Sequence, residues 1–181
     1  MNDYRPLTSE EIEVLKQNNC WAEDWTSVNV GENFKPNFMH RVMLYGEVNI
    51  GGFDKNVEVS QGFVKHSGIN NATLRNVTIG DDCLIENIGN FINNYTIGDD
   101  CYISNISTLE TTEGATYGEG NLVSVLNEVG EGNVILFSDL NSQLAAFMVK
   151  HFSDKELKER IRQLIKTDID NKMPDRGHIG N

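Results

Sequence analysis

Residues 78–83 read TIGDDC, and residues 96–101, eighteen positions on, read TIGDDC again. Eighteen is three sixes. Cut from Ile79, the chain falls into IGDDCL, IENIGN, FINNYT, IGDDCY and ISNIST, each opening on an apolar residue: Ile79, Ile85, Phe91, Ile97 and Ile103. A six-residue period suits neither an isolated amphipathic helix nor a simple hairpin. It suits a solenoid turn with three flat sides, each one hexapeptide long, with the first residue of each side pointing inward. Successive turns would stack about 4.8 Å apart. The pattern continues with slips. Residues 117–124 read YGEGNLVS, with extra residues expected to bulge near Glu113-Gly114-Ala115, and residues 129–135 read VGEGNVI. Upstream, Ile50-Gly51-Gly52 and Val57-Glu58-Val59 read as weaker turns.

Charge and composition bound what such a chain can do. The 181 residues carry a net charge of −12. An acidic surface repels phosphate backbones and anionic lipid, so neither nucleic acid nor membrane is an expected partner. No apolar run approaches the roughly 20 residues of a membrane span. The start, MNDYRPLTSEE, shows neither the basic nor the apolar region of a secretory signal. The three cysteines, Cys20, Cys83 and Cys101, then suggest free thiols in a reducing, cytoplasmic setting.

The repeats IGDDCL and IGDDCY resemble the hexapeptide repeat of left-handed parallel β-helices, over roughly residues 46–137. That superfamily holds acyltransferases using acyl-CoA or acyl carrier protein, and the β-helical parts of nucleotidyltransferases. More narrowly, YRPLTSEEIEVLKQNNCWAEDW, VKHSGINNATLRNVTIGDD and NSQLAAF resemble a bacterial family of much longer hexapeptide-repeat proteins with no established activity. The resemblance implies a mainly β, left-handed parallel β-helix. It also implies a small-molecule substrate such as acyl-CoA or a sugar nucleotide, no covalently bound cofactor, or self-association, trimers being common among relatives.

The flanks are helical. Thr8-Ser-Glu-Glu11 is a capping box ahead of Ile12 and Leu15, predicting a short N-terminal helix. Trp21 and Trp25 are expected to cover the open end of the stack. Leu140, Leu144, Phe147 and Met148 share one helical face, and a second capping box at Ser153-Asp-Lys-Glu156 leads into Leu157, Ile161, Leu164 and Ile165. The expected organisation is a cap over 1–45, the repeat over 46–137, two helices over 138–167, and a tail over 168–181. In that tail His178-Ile-Gly-Asn181 reads as the opening of a further hexad, as in a fragment of a longer protein.

His66, in Val64-Lys-His-Ser-Gly-Ile69, is the favoured general base, because acyl transfer needs a group that titrates near neutrality. Lys65, Asn70, Asn71, Asn93 and Asn94 are the companion substrate-binding candidates. The plain reading of the asparagines is structural, since Asn tolerates the positive φ of tight corners. Asp81 and Asp99, and Asp82 and Asp100, should stack as an acidic ladder. Solvated turns account for it more simply than a metal site, which needs about six oxygen ligands. Cys83 and Cys101 should stack too, as buried packing rather than as a disulfide. No P-loop, dinucleotide fingerprint, HExxH, CxxC or GxSxG occurs in the sequence. Two functions stay open: an acyl-transfer enzyme and a non-catalytic scaffold or oligomerisation module of a larger protein.

Overall fold

The computed structural model describes residues 4–112, 118–124, 132–172 and 176–180. In chain order its elements are β1 (Arg5–Pro6), α1 (Ser9–Gln17), β2 (Trp21–Ala22), β3 (Val28–Val30), β4 (Met39–Ile50), β5 (Asn56–Ser60), β6 (Phe63–His66) and β7 (Gly68–Ile79). They continue with β8 (Leu84–Glu86), β9 (Phe91–Ile97), β10 (Tyr102–Ser104), β11 (Thr108–Glu110), β12 (Leu122–Ser124), β13 (Asn133–Ile135), α2 (Ser142–Lys150), α3 (Lys155–Lys172) and β14 (Gly177–Ile179). The chain divides into two compact units, Met1–Glu113 with Arg176–Asn181, and Gly114–Asp175. β12 and β13, inside the segment read as repeat, fall in the second unit.

The fold is mainly β with mixed sheets and two C-terminal helices, and this corrects the left-handed parallel β-helix expected above. A ten-stranded sheet holds all the parallel pairs among the described residues, but within it β1 pairs antiparallel with β3, and β5–β6 and β12–β13 are separate antiparallel sheets. The registers do not keep one spacing. Val28 faces Val48, twenty residues on, while Met39 faces Ile69, thirty on. Gly68 faces Leu84, sixteen on, and Phe91 faces Thr108, seventeen on. An eighteen-residue offset holds for β7–β9, where Ile79 faces Ile97, and for β8–β10, where Leu84 faces Tyr102. The six-residue count also slips. Phe91, inward on a strict count, is half-exposed, and Ile92 is buried in its place. The repeat-like stretches touching residues 113–117 and 125–131 lie outside the described residues.

Alternation decides the first unit's core. Val42, Leu44, Leu74, Ile79, Ile85, Ile92 and Ile97 face inward on successive parallel strands and form one cluster with Val28, Val30 and Leu15. Polar residues turn the chain between these runs. Asn71, Asn76, Asp82, Asn87, Asn94, Asp100 and Asn105 all hold positive φ, where their short side chains cost least among non-glycine residues.

The capping box at α1 is present. Thr8 Oγ1 accepts from the Glu11 N–H, and the Thr8 N–H donates back to Glu11 Oε2 at 2.8 Å. The second expected box is corrected. Asp154, not Ser153, caps α3, its Oδ1 accepting from the Leu157 N–H at 3.0 Å, because the helix starts one residue later than the pattern suggests. The expectation that Trp21 and Trp25 cover the open end of a stack falls with the solenoid, because the sheets are mixed; Trp25 packs on the core, and Trp21 stays 49 % exposed against Tyr45.

Candidate functional site

β6 presents Lys65 and His66 at the end of a hairpin with β5, where Asn56 faces His66. The His66 ring lies flat on Phe38, with centroids 3.7 Å apart and planes within 10°. Its Nδ1 sits 2.8 Å from the Ser67 carbonyl. A carbonyl only accepts, so Nδ1 carries the proton and donates, and a neutral imidazole keeps its Nε2 lone pair free for an incoming group.

Lys65 does not face solvent alone. Its ammonium donates to both oxygens of Glu86, at 2.8 and 2.9 Å, and the Tyr102 hydroxyl donates to Glu86 Oε1 at 3.2 Å. Glu86 is 8 % exposed, so its charge is satisfied by these donors rather than by water. The hydrogen bond it donates to Glu86 raises the Lys65 ammonium above its ordinary pKa and holds it charged. Asn70 lies between His40 and Glu86 in one cross-strand row that ends at Ser104. Lys65 and Asn70 thus gather around Glu86, with His66 next in sequence to Lys65. Sequence reading missed Glu86, because nothing in the local run LIENIG marks one glutamate. Its role follows from the hairpin that carries Lys65 over it.

The remaining asparagines are elsewhere. Asn71 Nδ2 donates to Asn87 Oδ1 at 3.4 Å. Asn93 sits in the row of Arg75 and Glu110 and donates to Glu110 Oε1 at 2.9 Å. Asn94 Nδ2 donates to the Thr111 carbonyl at 3.0 Å. Each joins one strand to the next, and the structure does not bring Asn93 and Asn94 to the Glu86 row.

The acidic ladder has a structural use that the sequence did not reveal. The Gly52 N–H donates to Asp81 Oδ1 at 2.7 Å, and the Asp81 N–H donates to Asp99 Oδ1 at 2.8 Å. Asp82 Oδ1 accepts from the N–H groups of Asp54 and Lys55, at 2.7 and 2.9 Å. The Lys55 ammonium lies 3.0 Å from Asp82 and 3.1 Å from Asp100, easing their repulsion. Burial is the largest influence on Asp82 and pushes its pKa up. The two N–H groups and the ammonium together outweigh it, and the carboxyl titrates below its ordinary value. Among the described residues no three His, Cys, Asp or Glu side chains gather to hold a metal ion.

Cys83 and Cys101 are both free thiols. Cys83 is fully buried and donates to the Gly98 carbonyl at 3.0 Å, and burial pushes its pKa up to about 12. Among the described residues no helix is long and apolar enough to cross a membrane.

A family model described as a domain of unknown function (DUF4954) matches residues 4–181. The chain belongs to this family. A protein of Treponema pallidum (strain Nichols), named only "Uncharacterized protein", is 26 % identical over 188 residues, covering 98 % of this chain and 25 % of that protein. The chain thus spans about a quarter of the length of the curated relative it matches. No solved structure matches it.

Proposed function

We propose that this chain is a non-catalytic scaffold segment of a larger protein. One observation carries the reading: side chains able to do chemistry are spent on holding strands together. Lys65 is committed to Glu86, Asn93 to Glu110, Asn94 to the Thr111 carbonyl, and Asp81, Asp82 and Asp99 to backbone N–H groups of neighbouring segments. Such bonds are expensive to leave unmade, so recruiting these groups to a substrate would loosen the sheet. The test is a thermal-shift screen with acetyl-CoA, succinyl-CoA and sugar nucleotides. A ligand at 100 times its dissociation constant adds about 2.7 kcal/mol. Unchanged melting with all of them is the expected result, and a shift of several degrees with any one overturns it.

A second reading has its own observation. The Ser67 carbonyl holds His66 Nδ1–H and leaves Nε2 as an acceptor. As in the acyltransferases that IGDDCL and IGDDCY resemble, Nε2 would take a proton from an acceptor hydroxyl or amine. The acceptor would form a bond to the acyl carbon of acyl-CoA as the CoA thiolate leaves. Turnover abolished by His66→Ala but retained by Phe38→Leu would favour it.

A further inference from the structure

The second unit carries a trough between α3 and the β12–β13 pair. On the strand side Leu122 faces Ile135. On the helix side stand Ile161, Ile165 and Ile169. Two adjoining cavities, of about 410 and about 30 Å³, share Leu122, Ile135 and Arg162, and so form one trough along the helix. Leu122 is 51 % exposed, which leaves the trough open at that wall among the described residues. One rim is basic. Lys158, Arg162 and Lys166 line these cavities at steps of four residues. They therefore follow one side of α3, about 6 Å apart. Lys158 and Lys166 are exposed and make no ion pair among the described residues. Arg162 reaches Glu159 at 3.8 Å, an exposed contact that a better acceptor displaces. Among the described residues no Asp or Glu lines either cavity, in a chain whose net charge is −12.

Exposed lysines alone mark a solvated face. The apolar floor beside them changes the reading, because it asks for apolar side chains and the rim asks for carboxylates at the same repeat. A fatty acid brings one carboxylate to three cations. Its tail would lie against half-exposed Leu122, whereas a small-molecule site buries most of its ligand. A flat anionic membrane meets the lysines and leaves the trough empty. An amphipathic helix with a glutamate at every fourth residue repeats its charge at the interval that α3 uses. The apolar stripe beside those glutamates drops into the trough.

We propose that the trough between α3 and β12–β13 docks an acidic amphipathic helix of a partner protein, with Lys158, Arg162 and Lys166 pairing its carboxylates. The surface goes beyond the scaffold reading, whose observations lie in the first unit. Fluorescence anisotropy of the full chain tests it with a labelled helical peptide of about 18 residues, built from a leucine stripe and glutamates four apart. A second peptide carries lysine for each glutamate. The acidic peptide should bind with a dissociation constant of about 10 μM, and the basic one at least about tenfold more weakly. Raising salt from about 0.05 to about 0.3 M should weaken the acidic peptide by about tenfold. Lys158→Glu with Lys166→Glu should weaken it by about tenfold more and let the basic peptide bind instead. Lys158→Gln with Lys166→Gln repeats the test without reversed charge, and Leu122→Ser should weaken both peptides through the floor. Circular dichroism checks that each variant is folded. An acidic peptide that fails to bind, or that binds equally well to the charge-reversed chain, overturns the docking. So does displacement of the peptide by decanoate at its critical concentration or below, or binding confined to vesicles of anionic lipid.

Discussion

Replacing Asp82 tests whether the acidic ladder is structural. Its Oδ1 accepts two backbone N–H groups, from Asp54 and Lys55, and its Oδ2 meets the Lys55 ammonium at 3.0 Å. The residue is 6 % exposed and holds φ of 58°. Hydrogen bonds to a charged group contribute about 1.5–3 kcal/mol each, so the two N–H groups set a loss of about 3–6 kcal/mol for Asp82→Ala. Lys55 is mostly exposed, so its ion pair adds under about 1 kcal/mol. Forcing alanine into the left-handed region adds about 1–2 kcal/mol. Water reaching the opened turn recovers part of this, leaving an expected loss of about 3–4 kcal/mol. Asp82→Asn keeps an oxygen acceptor and the left-handed preference, and should lose about 1 kcal/mol. Both tryptophans, Trp21 and Trp25, lie in the first unit, so their fluorescence in a urea titration reports that unit alone. The pH dependence supplies a second arm. The folded Asp82 pKa lies below its unfolded value, so its contribution is complete above the unfolded pKa and is lost as pH falls through the folded one. Asp82→Asn should therefore flatten the acid limb of the stability curve below about pH 4. If the alanine variant unfolds at the same urea concentration as the parent, the carboxylate does not hold the turn and the reasoning fails.

Three further outcomes follow from the same geometry. Gly80→Ala should destabilise the first unit by about 2 kcal/mol in the same titration, because a Cβ there overlaps the Asp99 carboxylate and backbone nitrogen that receive the turn. Iodoacetamide at pH 8, read by mass spectrometry, should modify the partly exposed Cys101 before Cys83, whose thiol is buried and pushed up to about 12, and urea should erase the difference. Thr8→Ala removes the acceptor of the Glu11 N–H and should cost about 1 kcal/mol, with Thr8→Ser retaining most of it.

Some of the candidate site could be read from residue type. His66, Lys65 and Asn70 fall near one another because they are close in the chain, and local order is what a sequence displays. Glu86 was not legible, because its partner Lys65 is twenty-one residues away and reaches it only through the β5–β6 hairpin. Asn93 and Asn94 were grouped with Asn70 on residue type alone, and the registers separate them.

What the linear chain decided was local: the Thr8–Glu11 cap, two C-terminal helices, apolar residues turned inward, and Asn or Asp at the left-handed corners. Those follow from bond rotation and from burial along a single segment. What only the assembled molecule decided was pairing. A register shift between Tyr45 and Val48 changes the β4–β7 offset from thirty to twenty-nine residues, and the antiparallel strands make the sheets mixed. With those pairings came the destination of each carboxylate and amide. A hydrogen bond between strands depends on where two distant segments halt against each other, and no six-residue rhythm within one of them encodes that.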